Sequence, residues 1–340
     1  MVNKISYLVT GGAGFIGSNF VRYLYKSKED VGIRVLDKLT YSGNLANLDD
    51  FKNRIGFEFI KGDICDESAV KHAMRDVDVV VNFAAEVAVD RSIDDPQSFL
   101  KTDIFGVYTL LQQARKHPKL KRFIQISTDE VYGHILEGSF HEASELRPRN
   151  PYAASKLAGE RLAYSFFETY GLPVVITRAS NNYGPYAYPE KVIPLFITNL
   201  IDGIQVPVFG EGHQVRDWLY VDDHCYAIQM LVDNGVNGEV YNVGGGQECE
   251  NIELTRKLLA IMGKEERLIK YVQDRPGHDM RYSLNTSKLQ KLGWSPQYNL
   301  NTSLKKTVDW YLQNENWWRP LKNKLEPRYS QGFWGEKKEG

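Results

Sequence analysis

Residues 6–17 read Ser6-Tyr7-Leu8-Val9-Thr10-Gly11-Gly12-Ala13-Gly14-Phe15-Ile16-Gly17, a short apolar strand that runs into a glycine-rich turn. The glycines match the pattern G-x-G-x-x-G, and the residues that follow, 18–25, have the pattern of a helix. Such a turn lets the backbone approach a pyrophosphate, and the helix N-terminus favours its negative charge. The alternative is a tight strand–helix turn that holds no ligand.

A second apolar strand, residues 31–36, ends in Asp37. An acidic residue about 20 positions after the glycine turn usually accepts hydrogen bonds from the adenosine ribose and disfavours a 2′-phosphate. We therefore predict a dinucleotide site with NAD as the cofactor. Lys38, next to Asp37, is the feature that speaks for NADP.

Further strand-like runs follow at residues 57–64, 77–85 and 122–126, separated by helical segments, one of them across 97–116. Strands that alternate with helices at this spacing indicate an α/β fold with a Rossmann-type, doubly wound parallel sheet. Ligands of such sheets bind beyond the carboxyl ends of the strands. The residues expected at these ends are Gly14, Asp37, Asp63, Ala85 and Thr128.

The role of Asp63 in this fold has an alternative interpretation. Asp63 could instead cap the helix that begins near Glu67.

After a sixth strand at 172–178, segments become shorter and richer in proline and glycine. We therefore predict a Rossmann domain over 1–180, to which the chain returns around 215–245, a smaller mixed α/β substrate domain over 181–330, and a poorly tied tail at 331–340.

Composition excludes several classes of protein. The chain has 340 residues, 42% hydrophobic and 25% charged, as in ordinary globular domains, and its net charge of −1 gives no footprint for nucleic acid. Its cysteines, Cys65, Cys225 and Cys249, form no CxxC pair, which argues against a disulfide framework or a zinc site. With no apolar run near the ~20 residues of a membrane span and no signal-peptide pattern, we expect a cytoplasmic protein.

Tyr152-Ala153-Ala154-Ser155-Lys156 places a phenol and an ammonium on one face of a helix. A phenol is a poor base at neutral pH, but the charge of Lys156 and a nearby nicotinamide cation would lower its pKa. Tyr152 could then take a proton from a substrate hydroxyl while the cofactor oxidises the same carbon. The alternative is an exposed pair on an amphipathic helix.

Asp129 and Glu130 directly follow the strand that ends in Ser127-Thr128. Two carboxylates at the end of a buried strand are costly unless they are used. Repulsion and unequal environments separate the pKa values of such a pair, which suits one acid and one base. The alternative is that both cap a loop and pair with arginines.

These motifs together resemble the extended short-chain dehydrogenase/reductases and, more narrowly, the dTDP-glucose 4,6-dehydratases, over residues from about 5 to 320. The segments that carry the narrower resemblance are 127–133, 181–186, 189–191, 215–218 and 274–279. The resemblance implies that Tyr152 and NAD oxidise C4 of a nucleotide-bound glucose. Glu130 then removes the C5 proton, Asp129 assists loss of the C6 hydroxyl as water, and C6 is reduced, which leaves a 4-keto-6-deoxy sugar.

The resemblance also implies binding residues and an assembly. Those for the cofactor are Gly11, Gly14, Phe15, Ile16, Gly17, Asp37, Lys38, Thr40, Asp63, Ile64, Ala84, Ala85, Glu86, Thr102, Ser127, Tyr152 and Lys156. Those for the substrate are Thr128, Asp129, Glu130, Asn181, Asn182, Lys191, Arg216, Asn251, Arg275 and His278. His278 has no second ligand at metal spacing, so we expect no metal. The implied assembly is a homodimer that pairs through helices near 98–116 and 153–170.

One stretch departs from the family. After Ala84-Ala85-Glu86 the family usually has Ser-His, whereas this chain has Val87-Ala88. The change leaves the nucleotide and the sugar open, so a UDP-sugar 4,6-dehydratase remains an alternative. A nucleotide-sugar 4-epimerase would not need the paired carboxylates, and a non-catalytic NAD-sensing protein would not need Tyr152 or Lys156.

Overall fold

The structure is a computed structural model that describes residues 5–274 and 278–325. Its strands are β1 (Ile5–Thr10), β2 (Val31–Asp37), β3 (Phe57–Lys61), β4 (Val79–Asn82), β5 (Arg122–Thr128), β6 (Val174–Ala179), β7 (Asn181–Tyr183), β8 (Val206–Phe209), β9 (Val215–Tyr220), β10 (Val240–Val243), β11 (Glu248–Glu250) and β12 (Ile269–Val272). Its helices are α1 (Phe15–Ser27), α2 (Glu67–Ala73), α3 (Val89–Asp94), α4 (Pro96–Leu100), α5 (Val107–Ala114), α6 (Pro151–Tyr170), α7 (Val192–Ile201), α8 (Val221–Asn234), α9 (Asn251–Ile261), α10 (Ser287–Gln290), α11 (Leu300–Gln313) and α12 (Glu315–Lys322).

In the described part of the chain, seven strands form one sheet in the order β10-β6-β5-β4-β1-β2-β3. All neighbouring pairs are parallel. Their residues are mostly buried because helices cover both faces: α1 and α8 on one, α2, α5 and α6 on the other. The predicted Rossmann-type sheet is confirmed. The strand order reverses between β1 and β4, and ligands bind at such a switch point.

Smaller sheets lie beyond this one. In the described residues, β9 pairs with β7 in parallel and with β11 in antiparallel orientation, and β8 pairs with β12. Helices α7, α9, α11 and α12 pack with them around a second apolar core that includes Trp218, Tyr311 and Trp318. The aromatic side chains of α11 and α12, Trp310, Tyr311, Trp317 and Trp318, therefore pack in or against this core. The residue limits of the two predicted domains stay a prediction, and the segments 326–330 and 331–340 lie outside the described residues.

Three local expectations need correction. The helix expected across 97–116 consists of α4, a π-helical turn (Lys101–Gly106) and α5. β3 and β4 are shorter than the runs 57–64 and 77–85. The capping alternative for Asp63 is wrong, because Asp66 caps α2 by accepting hydrogen bonds from the backbone N–H groups of Ser68 (2.8 Å) and Ala69 (3.3 Å).

Across the described residues, no helix has both the length and the apolar character that crossing a bilayer requires.

Helix α6 is tied to the sheet by a buried ion pair. Glu160 is fully buried and Arg178, on β6, is 1% exposed. Arg178 donates hydrogen bonds to both carboxylate oxygens of Glu160 and, through Nη1, to the hydroxyl of Tyr132 (2.7 Å). A charge at this depth is tolerated only with its partner in place, because desolvation is otherwise uncompensated.

Replacement of Arg178 by Met should lower the free energy of unfolding by about 3–5 kcal/mol, because it leaves Glu160 buried without this partner. Urea unfolding measures the loss. The matched control is Arg34→Met, whose pair with Glu58 (2.8 Å) is solvent-exposed and should contribute less than about 1 kcal/mol. Equal losses in the two variants would contradict the structural role of the buried pair.

Candidate active site

A cavity of about 520 Å³ lies beyond the carboxyl ends of the central strands. The cofactor-site residues predicted from the sequence all line it: Gly11, Gly14, Phe15, Ile16, Gly17, Asp37, Lys38, Thr40, Asp63, Ile64, Ala84, Ala85, Glu86, Thr102, Ser127, Tyr152 and Lys156. So do the substrate-site residues Thr128, Asp129, Glu130, Asn181, Asn182, Lys191, Arg216, Asn251 and His278. Arg275 lies outside the described residues. The structure thus brings the predicted residues that it describes to one cavity.

The glycine turn forms a tight cradle at one end of the cavity. A Cβ at Gly17 would lie 2.5 Å from the carbonyl oxygen of Gly11, and one at Gly11, whose φ is +65°, would lie 2.7 Å from the backbone of Ala84. Gly14 precedes α1 and supplies no side-chain cap. Backbone N–H groups at the start of α1 therefore face the cavity without a competing side-chain acceptor, which fits a pyrophosphate.

Asp37 supports this cradle from β2. Its Oδ2 accepts a hydrogen bond from the N–H of Ala13 (2.9 Å) and its Oδ1 accepts one from the N–H of Leu39 (2.8 Å). Burial raises the pKa of this carboxyl, and the two N–H donors oppose that shift. Lys38 turns away to an ion pair with Asp63 (2.7 Å). The Lys38 charge is therefore partly neutralised, which weakens the one feature that favoured NADP.

Several buried polar atoms of cavity-lining residues lack a hydrogen-bond partner among the described residues. Ser127 Oγ, Asp129 Oδ2 and Asn181 Oδ1 have no hydrogen-bond partner within residues 5–274 and 278–325. Buried polar atoms in folded proteins are nearly always paired, so unpaired ones that line a cavity are available to hydrogen-bond a ligand. Together with the cradle they fit the predicted dinucleotide and its substrate.

The two adjacent carboxyls have different surroundings. Asp129 is 3% exposed, and its Oδ1 accepts a hydrogen bond from Thr128 Oγ1 (3.1 Å). Burial, together with the nearby Glu130, raises the pKa of Asp129 well above its usual range, which favours its protonated form. Glu130 is partly exposed, and its Oε2 accepts a hydrogen bond from Asn150 Nδ2 (3.0 Å). Both carboxyls line the cavity, which weakens the loop-capping alternative.

Helix α6 begins beside these carboxyls. Asn150 caps it by accepting a hydrogen bond from the N–H of Ala153 (2.8 Å), so the residue that holds Glu130 also fixes the start of the helix. Tyr152 packs edge-on against Phe99, with ring centroids 6.3 Å apart. Lys156 is 6% exposed. The alternative of an exposed pair on an amphipathic helix is therefore wrong for Lys156.

The expected lowering of the Tyr152 pKa is wrong for the side chains by themselves. Burial of the hydroxyl and the charges of Glu130 and Asp103 raise the pKa of Tyr152, and a hydrogen bond with Thr128 only partly offsets them. Burial also lowers the pKa of the Lys156 ammonium, which Asp103 and Glu160 oppose. Tyr152 is therefore a neutral phenol in the cavity until a further positive charge enters.

On the opposite wall, polar groups come from the second core. Arg216, 6% exposed, donates from Nη2 to the carbonyl oxygen of Asp279 (2.9 Å) and stacks over the ring of Tyr282. His278 Nδ1 lies 2.6 Å from Asp274 Oδ1. Lys191 is exposed just before α7. Within the described ranges, no group of three or more histidine, cysteine or acidic side chains is placed to hold a metal ion.

The departing residues Val87 and Ala88 also line the cavity. The carbonyl oxygen of Val87 accepts a hydrogen bond from the hydroxyl of Tyr41 (2.8 Å), and Ala88 has φ +77°. Positive φ is unfavourable for a residue other than glycine, so this turn is held by its surroundings. It presents a methyl and an isopropyl group where the family presents two polar side chains.

The sequence interpretation missed several cavity residues: Tyr188, Glu190, Phe196, Phe209, His224 and Tyr282. Glu190 stood inside the quoted segment 189–191, so its position next to Lys191 was an available signal. His224 had none. Its Nδ1 lies 2.9 Å from Asn182 Oδ1, and burial lowers its pKa to about 3, so the ring is neutral. Asp103, buried behind Lys156, was missed as well.

Comparisons with known proteins agree with this geometry. A family model described as GDP-mannose 4,6 dehydratase matches residues 8–307. The dTDP-glucose 4,6-dehydratase of Streptomyces niveus is 50% identical over 330 residues, which cover 96% of this chain and 98% of that protein. The dTDP-glucose 4,6-dehydratase of Escherichia coli is 46% identical over 344 residues, covering 92% of this chain and 95% of that protein.

Among solved structures, the dTDP-glucose 4,6-dehydratase of Streptomyces venezuelae, with NAD and TYD bound, has a TM-score of 0.91 and 47% identity. The match covers 93% of this chain and 100% of that chain. These similarities confirm the resemblance inferred from the sequence motifs. The chain therefore belongs to the family that the GDP-mannose 4,6 dehydratase model describes.

Proposed function

We propose that this chain is a nucleotide-sugar 4,6-dehydratase that converts dTDP-glucose to dTDP-4-keto-6-deoxyglucose and water. The observation that carries the proposal is the pair Asp129 and Glu130, one buried and one partly exposed, in the same cavity as Tyr152 and Lys156. An elimination of water needs an acid and a base on neighbouring carbons, and these environments supply both. The dehydratase relatives support the same reaction.

The cradle of Gly11, Gly14 and Gly17 would hold the pyrophosphate of NAD, and Asp37 its adenosine ribose. When bound, NAD supplies the oxidation of C4 and the matching reduction at C6. NAD-bound relatives support this cofactor.

The first task of the chain is to remove the proton of the C4 hydroxyl. Tyr152 would act as the base, and Thr128 would donate a hydrogen bond to the same oxygen. Because burial and nearby carboxylates raise the pKa of Tyr152, the phenolate requires positive charge beside it. Lys156 contributes its ammonium.

The second task is elimination across C5 and C6. The new ketone acidifies the C5 proton, and Glu130 would take it and return it to C5 when C6 is reduced. Asp129, protonated because burial and Glu130 raise its pKa, donates its proton to the departing C6 hydroxyl. Asn150 holds Glu130 through a hydrogen bond of 3.0 Å, so the base is oriented before substrate arrives.

The second core would hold the nucleotide diphosphate. Arg216 and Lys191 supply positive charge, and Asn181 and Asn251 supply amide groups on the same wall. Arg275, which lies outside the described residues, stays part of this prediction. The epimerase and NAD-sensing alternatives are not favoured, because the paired carboxyls and the Tyr152–Lys156 pair share one cavity.

We further propose a cytoplasmic homodimer. The helical stretch 96–114 exposes Leu100 (46%), Phe105 (64%) and Tyr108 (46%), and Tyr170 at the end of α6 is 52% exposed. Neighbouring exposed apolar side chains are typical of an interface. The three cysteines are free thiols, which is consistent with a reducing compartment.

Incubation of the purified protein with dTDP-glucose should yield a 4-keto-6-deoxy product, detected by mass spectrometry and by the absorbance of the ketone. UDP-glucose in a parallel reaction tests the nucleotide, because Val87 and Ala88 leave the wall of the cavity apolar. Absence of a keto product from either sugar, with NAD bound to the protein, would overturn the proposed reaction.

Glu130→Gln should block loss of water at least about 100-fold, because the amide cannot accept the C5 proton. Oxidation at C4 should persist, so the absorbance of reduced NAD accumulates in a single turnover. The matched control is Glu137→Gln, an exposed residue of the following loop, which should turn over as wild type. Full dehydration by Glu130→Gln would remove Glu130 as the base.

Asp37→Asn should narrow the preference for NAD over NADP by roughly tenfold or more, since it removes a charge that repels a 2′-phosphate. Fluorescence titration with each dinucleotide gives the ratio of dissociation constants. Asp49→Asn, exposed in the next turn, is the matched control. An unchanged ratio in Asp37→Asn would show that Asp37 only supports the glycine turn through Ala13.

Phe105→Glu should convert the proposed dimer to monomers, because it buries a charge in an apolar interface. Light scattering coupled to size-exclusion chromatography measures the mass. Ile55→Glu, a substitution at a residue that is 93% exposed away from these helices, should leave the assembly unchanged. A dimeric Phe105→Glu variant would exclude this surface as the interface.

A further inference from the structure

Asp103 is a buried carboxyl that the proposed chemistry does not use. It lies on the π-helical turn Lys101–Gly106 and is 2% exposed. Its Oδ2 lies 2.6 Å from Ser155 Oγ on α6, and its Oδ1 accepts a hydrogen bond from the N–H of Glu86 (3.2 Å). Asp103 thus joins the catalytic helix to the loop after β4.

The π turn makes this contact possible. One extra residue per turn changes which side chains face a neighbouring helix. The helices are also very close here, because a Cβ on Gly159 of α6 would lie 2.5 Å from the carbonyl oxygen of Asp103. At this approach the carboxyl is shielded from water and acts strongly on charges beside it.

Lys156 is the charge it acts on. The negative groups that favour the buried ammonium of Lys156 are Asp103 and Glu160. Glu160 is already engaged, since it accepts hydrogen bonds from Arg178 and from Arg161 (3.0 Å). Asp103 accepts hydrogen bonds from two neutral donors, the Ser155 hydroxyl and the backbone N–H of Glu86. Its negative charge therefore remains to balance Lys156.

We propose that Asp103 is a positioning residue that serves as the counter-charge of Lys156 and so sets the pH range in which the Tyr152–Lys156 pair works. The effect on catalysis rests on the proposed function, because that pair takes the C4 hydroxyl proton there. The charge pairing itself is a property of the folded chain.

The direction of the pH effect follows from the charges around Asp103. Burial raises the pKa of Asp103 to about 6, and Lys156, Ser155 and the N–H of Glu86 oppose that shift. The titratable groups that face it are Tyr152, Lys156 and, on the loop after β4, Glu86. The charges of Lys38, Asp63 and Asp95 act in turn on the Glu86 carboxyl. Below about pH 6 Asp103 gains a proton, and Lys156 loses its counter-charge.

Asp103→Asn keeps the shape and removes the charge. Its kcat should be several-fold below wild type at pH 8, because the Lys156 ammonium loses its counter-charge and its pKa falls further. The ratio of kcat values should rise towards one near pH 5, where wild-type Asp103 is itself protonated. KM for the nucleotide sugar should change less than about twofold, because Asp103 is not among the residues that line the cavity. A ratio that is the same at all pH values would overturn the proposal.

Two further variants separate charge from packing. Ser155→Ala removes a hydrogen bond that stabilises the carboxylate, so the acidic limb of the kcat profile should move to higher pH. Asp95→Asn removes an exposed charge just before the same helical stretch and should reproduce the wild-type profile. An acidic limb that stays in place in Ser155→Ala, or one that moves equally in Asp95→Asn, would contradict the assignment.

A measurement without turnover tests the pairing independently. A double-mutant cycle of Asp103→Asn and Lys156→Met in thermal unfolding should show favourable coupling at pH 8 and little coupling at pH 5. A raised carboxyl pKa also costs stability as pH rises through it. The Tm of Asp103→Asn relative to wild type should therefore increase between pH 5 and pH 8.

These readouts keep two failures apart. If wild type forms no keto product, the proposed function fails while the double-mutant cycle still decides the pairing. If product forms but the coupling at pH 8 is absent, the counter-charge proposal fails alone.

Discussion

The position of helix α6 is the constraint on which the site depends, because this helix carries both Tyr152 and Lys156. Its buried face bears charges at neighbouring turns. Glu160 is bonded to Arg178 of the central sheet, and Ser155, next to Lys156, is bonded to Asp103 of the adjoining helical stretch. Glu160 cannot leave Arg178 without a large desolvation cost. The helix therefore has one favourable position against β5 and β6, and this position fixes where the phenol of Tyr152 and the ammonium of Lys156 lie.

The surroundings of the two paired carboxyls, and not their residue types, suit one to act as an acid and the other as a base. Both follow β5, yet Asp129 turns into the protein while Glu130 reaches Asn150 at the start of α6. Burial raises the pKa of the first and so favours its protonated form, whereas the second is partly exposed in the cavity. The same hydrogen bond couples the two halves of the chemistry, because Asn150 caps the helix that carries Tyr152. A movement of α6 would thus displace the phenol and the Glu130 side chain together.

The sequence predicted the features that depend on local patterns. Alternating strands and helices specify the parallel sheet, and the glycine turn, Asp37 and the residues at the strand ends follow from it. Asp103 escaped because a π turn alters which residues face α6, and nothing in the sequence marks that turn. The Tyr152 pKa was misjudged for a related reason. The direction of its shift depends on burial and on the charges of Glu130 and Asp103, whereas the spacing in the sequence relates Tyr152 only to Lys156.

The departure at Val87 and Ala88 bears on the substrate more than on the reaction. The turn is fixed through Tyr41, whose hydroxyl donates to Val87 and whose ring lies 3.7 Å from the Arg91 guanidinium. Arg91 in turn pairs with Glu190 (2.6 Å) on the substrate side. The turn is thus braced from both walls, and its apolar side chains face the cavity in a set position. They lack the two hydrogen-bonding groups that the family usually has at these positions, whereas Asp129, Glu130 and Lys156 are retained. Selection among nucleotide sugars can therefore change while the acid, the base and the helix that carries Tyr152 stay the same.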